Sequence, residues 1–146
     1  MPFSLDRLAF RNDFKTAALD SFPGQRSSPR GKPDARARTL IAENVVELGA
    51  ARATLARSAM IADTADEPVS ARFADTQAAK VFITEAAVRI VDRALALSGG
   101  AGYHNNHPLA RAYRDVRAGS FMQPLGSNRA YDLLGDIALG REPALH

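Results

Sequence analysis

Gly99, Gly100 and Gly102 fall within four positions and are followed by Tyr103-His104-Asn105-Asn106-His107-Pro108. This stretch holds three of the ten glycines and two of the three histidines. Glycine lacks a Cβ, so it permits positive φ and lets a second backbone or a ligand come close. A glycine pair after an apolar run is also a helix stop, and both readings stand on the local pattern. A stop needs one glycine, and three point to a backbone that something else approaches. A dinucleotide fingerprint requires its glycines after a strand and before a helix. Here they follow a helical run with the wrong spacing. His104 and His107 are three apart, with no carboxylate in the motif and no third ligand, so they read as loop and cap residues rather than a metal site. The chain has no Glu-x-x-His pair, which excludes a carboxylate di-iron bundle. No Ser/His/Asp order can be argued from spacing.

The elements that must hold this stretch are helices. A first helix is predicted from about Asp34, a good N-cap residue, to about Ala62. Ile41, Leu48, Leu55 and Ala62 recur every seven residues, with Val45, Ala51 and Ala59 beside them. Asn44 and Arg52 share that half of the helix. A buried Asn44 implies a satisfied core or interface hydrogen bond rather than catalysis. A second helix is predicted from about Phe73 to Leu97. Its stripes Val81/Val88/Leu95 and Ile83/Ile90/Leu97 lie roughly opposite each other, with Glu85, Arg89, Asp92 and Arg93 between. Such a helix must be sandwiched, and Glu85 can pair with Arg89 one turn on. A third helix should start near Asn106 or His107, with Pro108 in its first turn, and run to about Phe121. After Gln123-Pro124-Leu125-Gly126, Ser127 can cap a fourth that carries Tyr131, Leu133, Leu134, Ile137 and Leu139 and stops at Gly140. The expected fold is all-α, an antiparallel four-helix bundle over residues 34–146. Residues 1–21 are a helical candidate with Leu5, Leu8, Phe10, Phe14 and Leu19, and the run Phe22–Pro33 is a loop. Residues 1–33 are thus an unassigned segment and linker.

At 146 residues the chain is one domain by length, with 46% hydrophobic and 24% charged residues. It has no cysteine, so disulfides and thiolate metal sites are excluded and a reducing, cytoplasmic setting fits. No apolar window is long enough to span a membrane, and Met1-Pro2-Phe3-Ser4 does not open a secretory signal. Residues 1–62 carry ten Lys/Arg against six Asp/Glu, and residues 63–146 nine against ten. The surplus sits in Arg26, Arg30, Lys32, Arg36 and Arg38, with no aromatic among them to stack on bases. It reads as a solvated loop, not a nucleic-acid surface.

In order, Ala79-Lys80-Val81-Phe82, Glu85-Ala86-Ala87, Ser98-Gly99-Gly100-Ala101-Gly102-Tyr103, Pro108, Arg111 and Arg114-Asp115-Val116-Arg117 form a specific combination. It resembles the C-terminal helical domain of the acyl-CoA dehydrogenase family. Ala50-Ala51-Arg52 is similar to that domain's preceding helix. The resemblance covers about residues 40–140. It implies FAD as cofactor and a homodimer or homotetramer in which Gly99 and Gly100 contact the FAD of a neighbouring subunit. Arg114-Asp115 matches a family pair read as holding the third helix and the following loop.

Two departures matter. Ala96 stands where the family often has a glutamine that contacts the cofactor. Gln123 occupies the position of the glutamate that abstracts the substrate α-proton, and an amide cannot act as that base. Some family members carry the base elsewhere, and others are flavin monooxygenases that need none there; the run from Phe121 to Gly126 suggests such a divergent branch. Ser127 is expected near the cofactor. The family's N-terminal helical and β domains have no counterpart here, so the chain reads as the C-terminal part only: a shortened product or fragment, or one piece of a split enzyme whose partner is a second chain carrying those domains. The implied function is a C-terminal part of an FAD-dependent oxidoreductase, performing α,β-dehydrogenation of an acyl-CoA or a related flavin-dependent oxidation. The alternative is a non-catalytic helical bundle that keeps only an oligomerisation surface.

Overall fold

The computed structural model describes residues 35–64 and 67–143. The expectations placed on residues 1–34, including the Asp34 cap and the basic run to Lys32, lie outside the described residues. Four α-helices follow in order: α1 (Ala35–Ala62), α2 (Val69–Ser98), α3 (Pro108–Asp115) and α4 (Ser127–Ala138). Short 3-10 segments, Gly99–Tyr103 and Val116–Ser120, extend the ends of α2 and α3. No strand occurs among the described residues. The all-α helical architecture expected from periodicity is the one found.

Helix α2 is the centre. It packs against α1 and also against α3, α4 and both 3-10 segments. The expected sandwich is therefore present. Ala86, Ile90 and Leu97 are buried, as are Val81 and Val91. Val81 forms a cluster with Leu125, Ala130 and Leu133 of the following loop and α4, and Phe73 closes over it. The helix begins four residues earlier than expected. Pro68, at φ −55°, already has the φ that a helix start needs, and Val69 follows as the first helical residue.

Helix α1 departs from expectation. Its buried residues are Ala37, Asn44, Ala51 and Ser58, a heptad line displaced from the expected one. Asn44 and Ala51 belong to the predicted face, and Ala37 and Ser58 do not. Leu55 is exposed and Val45 is 67% exposed. Small side chains let α1 come close to α2 along this seam, and the larger apolar stripe is left beside it. Asn44 does what was expected of it. Its Nδ2 donates to the Ile90 carbonyl at 3.2 Å, and its Oδ1 accepts from Arg93 Nη1 at 3.3 Å. Arg52 is exposed rather than turned inward.

The polar stripe of α2 ties three helices together. Arg89 Nε donates to Glu47 Oε1 at 2.5 Å, and Arg93 reaches Glu47 and, at 2.8 Å, Glu43. The expected Glu85–Arg89 pair is present at 3.8 Å. Glu85 also accepts from the Tyr131 hydroxyl of α4 at 2.6 Å.

The expected third helix divides at Val116, where the 3-10 segment brings Gly119 against α2. A Cβ on Gly119 would lie 2.5 Å from Thr84 Cγ2, so only glycine fits this approach. Ser127 does not cap α4. Gly126 holds the N-cap position without a side-chain bond, and Ser127 is the first helical residue. The stop at Gly140 is as expected. At φ +67°, it lets Gly140 N–H reach the Ile137 carbonyl at 3.0 Å and Arg141 N–H the Asp136 carbonyl at 2.8 Å, a Schellman closure.

Two predictions follow from this packing. Burial pushes the Glu47 carboxyl up, but hydrogen bonds from Arg93 and Arg89 outweigh it and hold the group below its ordinary value near 4.5. A depressed folded pKa gives stability that is complete above the ordinary value and is lost as pH falls through the lower one. Acid unfolding of the wild type below about pH 4.5 should be steeper than that of Glu47→Gln; equal slopes would remove the network's role. Separately, Gln77 on α2 is fully buried, and neither its amide oxygen nor its nitrogen has a partner among the described residues. Unsatisfied buried groups cost roughly 1–3 kcal/mol each. Gln77→Leu should raise the melting temperature, and a fall would mean that the amide has a partner.

Candidate functional site

The glycine loop is shaped from inside by contacts along the C-terminal turn of α2. Gly99 N–H closes the helix on the Leu95 carbonyl. Its φ of +61° and ψ of −149° lie in a region open in practice only to glycine. Gly102 is buried, and a Cβ there would stand 1.9 Å from Ser98 Oγ and 3.2 Å from Leu95 Cδ2. Gly100 is different. Its φ is not positive, it is exposed, and a Cβ built on it would meet nothing within 4 Å. The fold thus accounts for Gly99 as the stop and Gly102 as a close internal contact, and leaves Gly100 as open backbone on the outer surface.

Beyond the glycines, His104 N–H donates to the Ala101 carbonyl at 3.3 Å and His107 N–H to the His104 carbonyl at 2.8 Å. His107 caps α3, its Nδ1 accepting from Leu109 N–H at 3.2 Å. This is the cap role expected of it. His104 is exposed. Among the described residues no three His, Cys, Asp or Glu side chains cluster to hold a metal.

Gln123 and Ser127 lie elsewhere. Lys80 of α2 donates to the carbonyls of Met122 and Leu125, which fixes the loop that carries them. Gln123 is exposed and Ser127 half-buried. Nineteen residues of α2 and its cap separate Lys80 from Gly99, about 28 Å at 1.5 Å per residue. One chain therefore does not bring Gly99 and Gly100 together with Gln123 and Ser127.

The Arg114-Asp115 pair does not hold the loop. Both residues are exposed, and Asp115 accepts from Arg111 at 3.3 Å on the surface of α3. The holding is done by residues that the sequence reading did not single out for it. Arg117 lies over the Tyr113 ring at 3.7 Å from its centroid, donates to the Tyr113 carbonyl at 3.0 Å and pairs with Asp92 of α2 at 3.3 Å. Lys80 was visible only as part of a family pattern. Nothing in sequence spacing placed its ammonium under a loop more than forty positions on.

The separate roles of the two adjacent glycines give a direct test. Gly99→Ala should lose about 1–3 kcal/mol by thermal or denaturant unfolding, the cost of holding a side chain in that backbone region. Gly100→Ala should leave stability unchanged or slightly raised. Equal losses at both positions would contradict this assignment.

Residues 32–129 match the family model for the acyl-CoA dehydrogenase C-terminal domain. The chain is 41% identical over 120 residues to the amino sugar nitrososynthase DnmZ of Streptomyces peucetius, covering 77% of this chain and 30% of that protein. It is 38% identical over 145 residues to the L-evernosamine nitrososynthase of a Micromonospora species, covering 94% of this chain and 34% of that one. Among solved structures, KijD3 in complex with FMN and dTDP-3-amino-2,3,6-trideoxy-4-keto-3-methyl-D-glucose superposes with a TM-score of 0.76 at 35% identity, covering 92% and 33% of the two chains. The nitrososynthase of Micromonospora carbonacea var. africana gives a TM-score of 0.72 at 37% identity, covering 86% and 35%. The chain spans about a third of the length of these relatives.

Proposed function

The chain belongs to the acyl-CoA dehydrogenase family, as its C-terminal domain, and from that we propose that it is the C-terminal bundle of a flavin-dependent oxidoreductase that oxidises an amino-sugar nitrogen. Residues 34–146 would form the bundle. The rest of the flavin and substrate sites would come from the family's N-terminal helical and β domains, on another part of the enzyme or on a second chain. The observation that carries the reading is Gln123. By the family resemblance, a neutral amide falls where many members that dehydrogenate an acyl-CoA carry the carboxylate base. Glu85, on the same helix as Lys80, is already engaged by Tyr131 and Arg89. Oxidation at nitrogen requires no α-proton abstraction there, and the names of the nitrososynthase relatives favour it.

A flavin, FMN or FAD, would supply the redox chemistry. The residues present fit such a group. Gly100 offers bare backbone with room for a flat ligand, on a loop whose inner side is already packed. We take Gly99 and Gly100 to meet a flavin held by a neighbouring subunit. Ser127 and the loop tied down by Lys80 would then lie at a different flavin. That arrangement needs a dimer or tetramer. The exposed apolar stripe of α1 around Val45 and Leu55 is available for such packing. The setting is the cytoplasm.

The test is the absorbance spectrum of the purified chain with added FMN and FAD, together with its mass by light scattering. Flavin bands that co-migrate with a dimer or tetramer are the expected result. Gly100→Ala should weaken flavin binding several-fold at an unchanged melting temperature, since the added methyl meets nothing in the fold. A colourless oligomer under all conditions would instead favour a bundle that keeps only its association surface.

A further inference from the structure

Helix α4 is lightly held. It has 12 residues, of which it buries Ala130 and Leu133 alone, and a helix of that length is marginal by itself. It takes its support from α2 and makes slight contact or none with any other described element. Tyr131, Ile137 and Leu139 point their apolar surface away from the bundle.

Beneath it lies a group that opposes its docking. Phe73 and Val81 of α2 pack in one cluster with Leu125, Ala130 and Leu133. Gln77 stands one helical turn from each of them on the same face, which puts its side chain under α4. It is fully buried, and neither end of its amide has a partner among the described residues. With α4 in place the amide has lost water and gained no hydrogen bond, which disfavours the docked position. With α4 lifted, water satisfies both ends. The polar hold on α4 is at its edge, where the Tyr131 hydroxyl donates to Glu85 at 2.6 Å. The preceding loop is pinned as far as Leu125 by Lys80. The joint is therefore Gly126, the N-cap, which makes no side-chain bond to the helix.

We propose that α4 is a strap that lifts from α2 as a unit, about Gly126, while the rest of the bundle stays folded, and that the Gln77 amide beneath it sets how often it lifts. The inference goes beyond the flavin reading and does not rest on it, because only packing within this chain is used. Ser127, in the first turn of α4, moves with the strap, and Gln77 and Val81 are bared when it opens.

The chain has no cysteine, so a single introduced thiol reports opening through its reaction with a thiol reagent. Ala130 of α4 and Ala86 of α2 are both 0% exposed. In native buffer the thiol of Ala130→Cys should react about tenfold faster or more than that of Ala86→Cys, since one needs only the strap to lift and the other needs the bundle to open. Adding Gln77→Leu should slow the Ala130→Cys reaction about tenfold, and adding Tyr131→Phe should quicken it several-fold. Amide hydrogen exchange makes the same comparison without a cysteine. The α4 amides of the unsubstituted chain should exchange well ahead of those at the centre of α2, and Gln77→Leu should slow them. Equal thiol rates, with the α4 and α2 amides exchanging together, would overturn the strap. A strap that lifts but is unmoved or quickened by Gln77→Leu would overturn the role of the amide, because its two ends would then be satisfied in the docked position.

Discussion

The structure depends on one constraint: α2 must bury two opposite faces at once. A helix apolar on one stripe is satisfied by a single neighbour. One with Ile90 and Leu97 on one side and Val81 and Val91 on the other needs cover from both. Helix α1 supplies the first cover. The second is assembled from short pieces, namely α3, a 3-10 segment, a loop and α4. Short pieces have little intrinsic stability of their own, so their placement comes from contacts with α2. Gly119 presses on Thr84, Arg117 reaches Asp92, Lys80 grips two loop carbonyls and Glu85 holds Tyr131. Every functional candidate in the chain is therefore positioned, directly or at one remove, by the long central helix.

The α1–α2 contact shows a different physical solution. The residues that α1 buries are alanine, asparagine and serine. Close approach is combined with a charged lattice of Glu43, Glu47, Arg89 and Arg93 beside the seam. These pairs are only partly exposed, and one carboxylate receives two guanidinium groups. Networks of that kind contribute more than isolated surface pairs. Asn44 adds specificity. Its amide meets a backbone carbonyl of α2 on one side and an arginine on the other, so a slip of one helix past the other would strand a buried polar group.

This explains which parts of the molecule were legible in the sequence. Helix α2 was readable because Val81, Ile90, Val91 and Leu97 among its buried residues are large and apolar, with Ile83, Val88 and Leu95 half-buried beside them. Helix α1 was readable as a helix, but its buried face only in part: Asn44 and Ala51 were placed on it, while Ala37 and Ser58 carry no hydrophobic signal and the exposed Val45 and Leu55 do. The stop at Gly140 and the cap at His107 were local, and local chemistry was enough. Ser127 failed as a cap although its residue type was right, since the chain begins its turn at Gly126. In the glycine loop the sequence announced an unusual backbone but could not divide the work. A φ of +61°, a blocked Cβ and an unblocked one are properties of three-dimensional neighbours, not of residue type. Lys80 and Gly119 act across more than thirty positions, beyond any spacing rule.

The same geometry limits what a single chain can do. The glycine loop and the loop around Gln123 stand at different levels of α2, separated by most of the helix. The length of α2 makes it a spacer between the two loops. A function that uses both must use them at different ligands or through different copies of the chain. The exposed stripe on α1 is consistent with that requirement. It is apolar, it runs along the bundle's longest surface element, and no described element of this chain covers it. Gln77 makes a complementary point. An unpaired buried amide weakens a core that any aliphatic residue would serve better, so its presence is not explained by the stability of the bundle alone. A fold made for stability would have placed an apolar residue at Gln77 and alanine at Gly100. At these positions the chain departs from the choices that would stabilise the bundle by itself, as proteins do where residues are kept for a site or a partner.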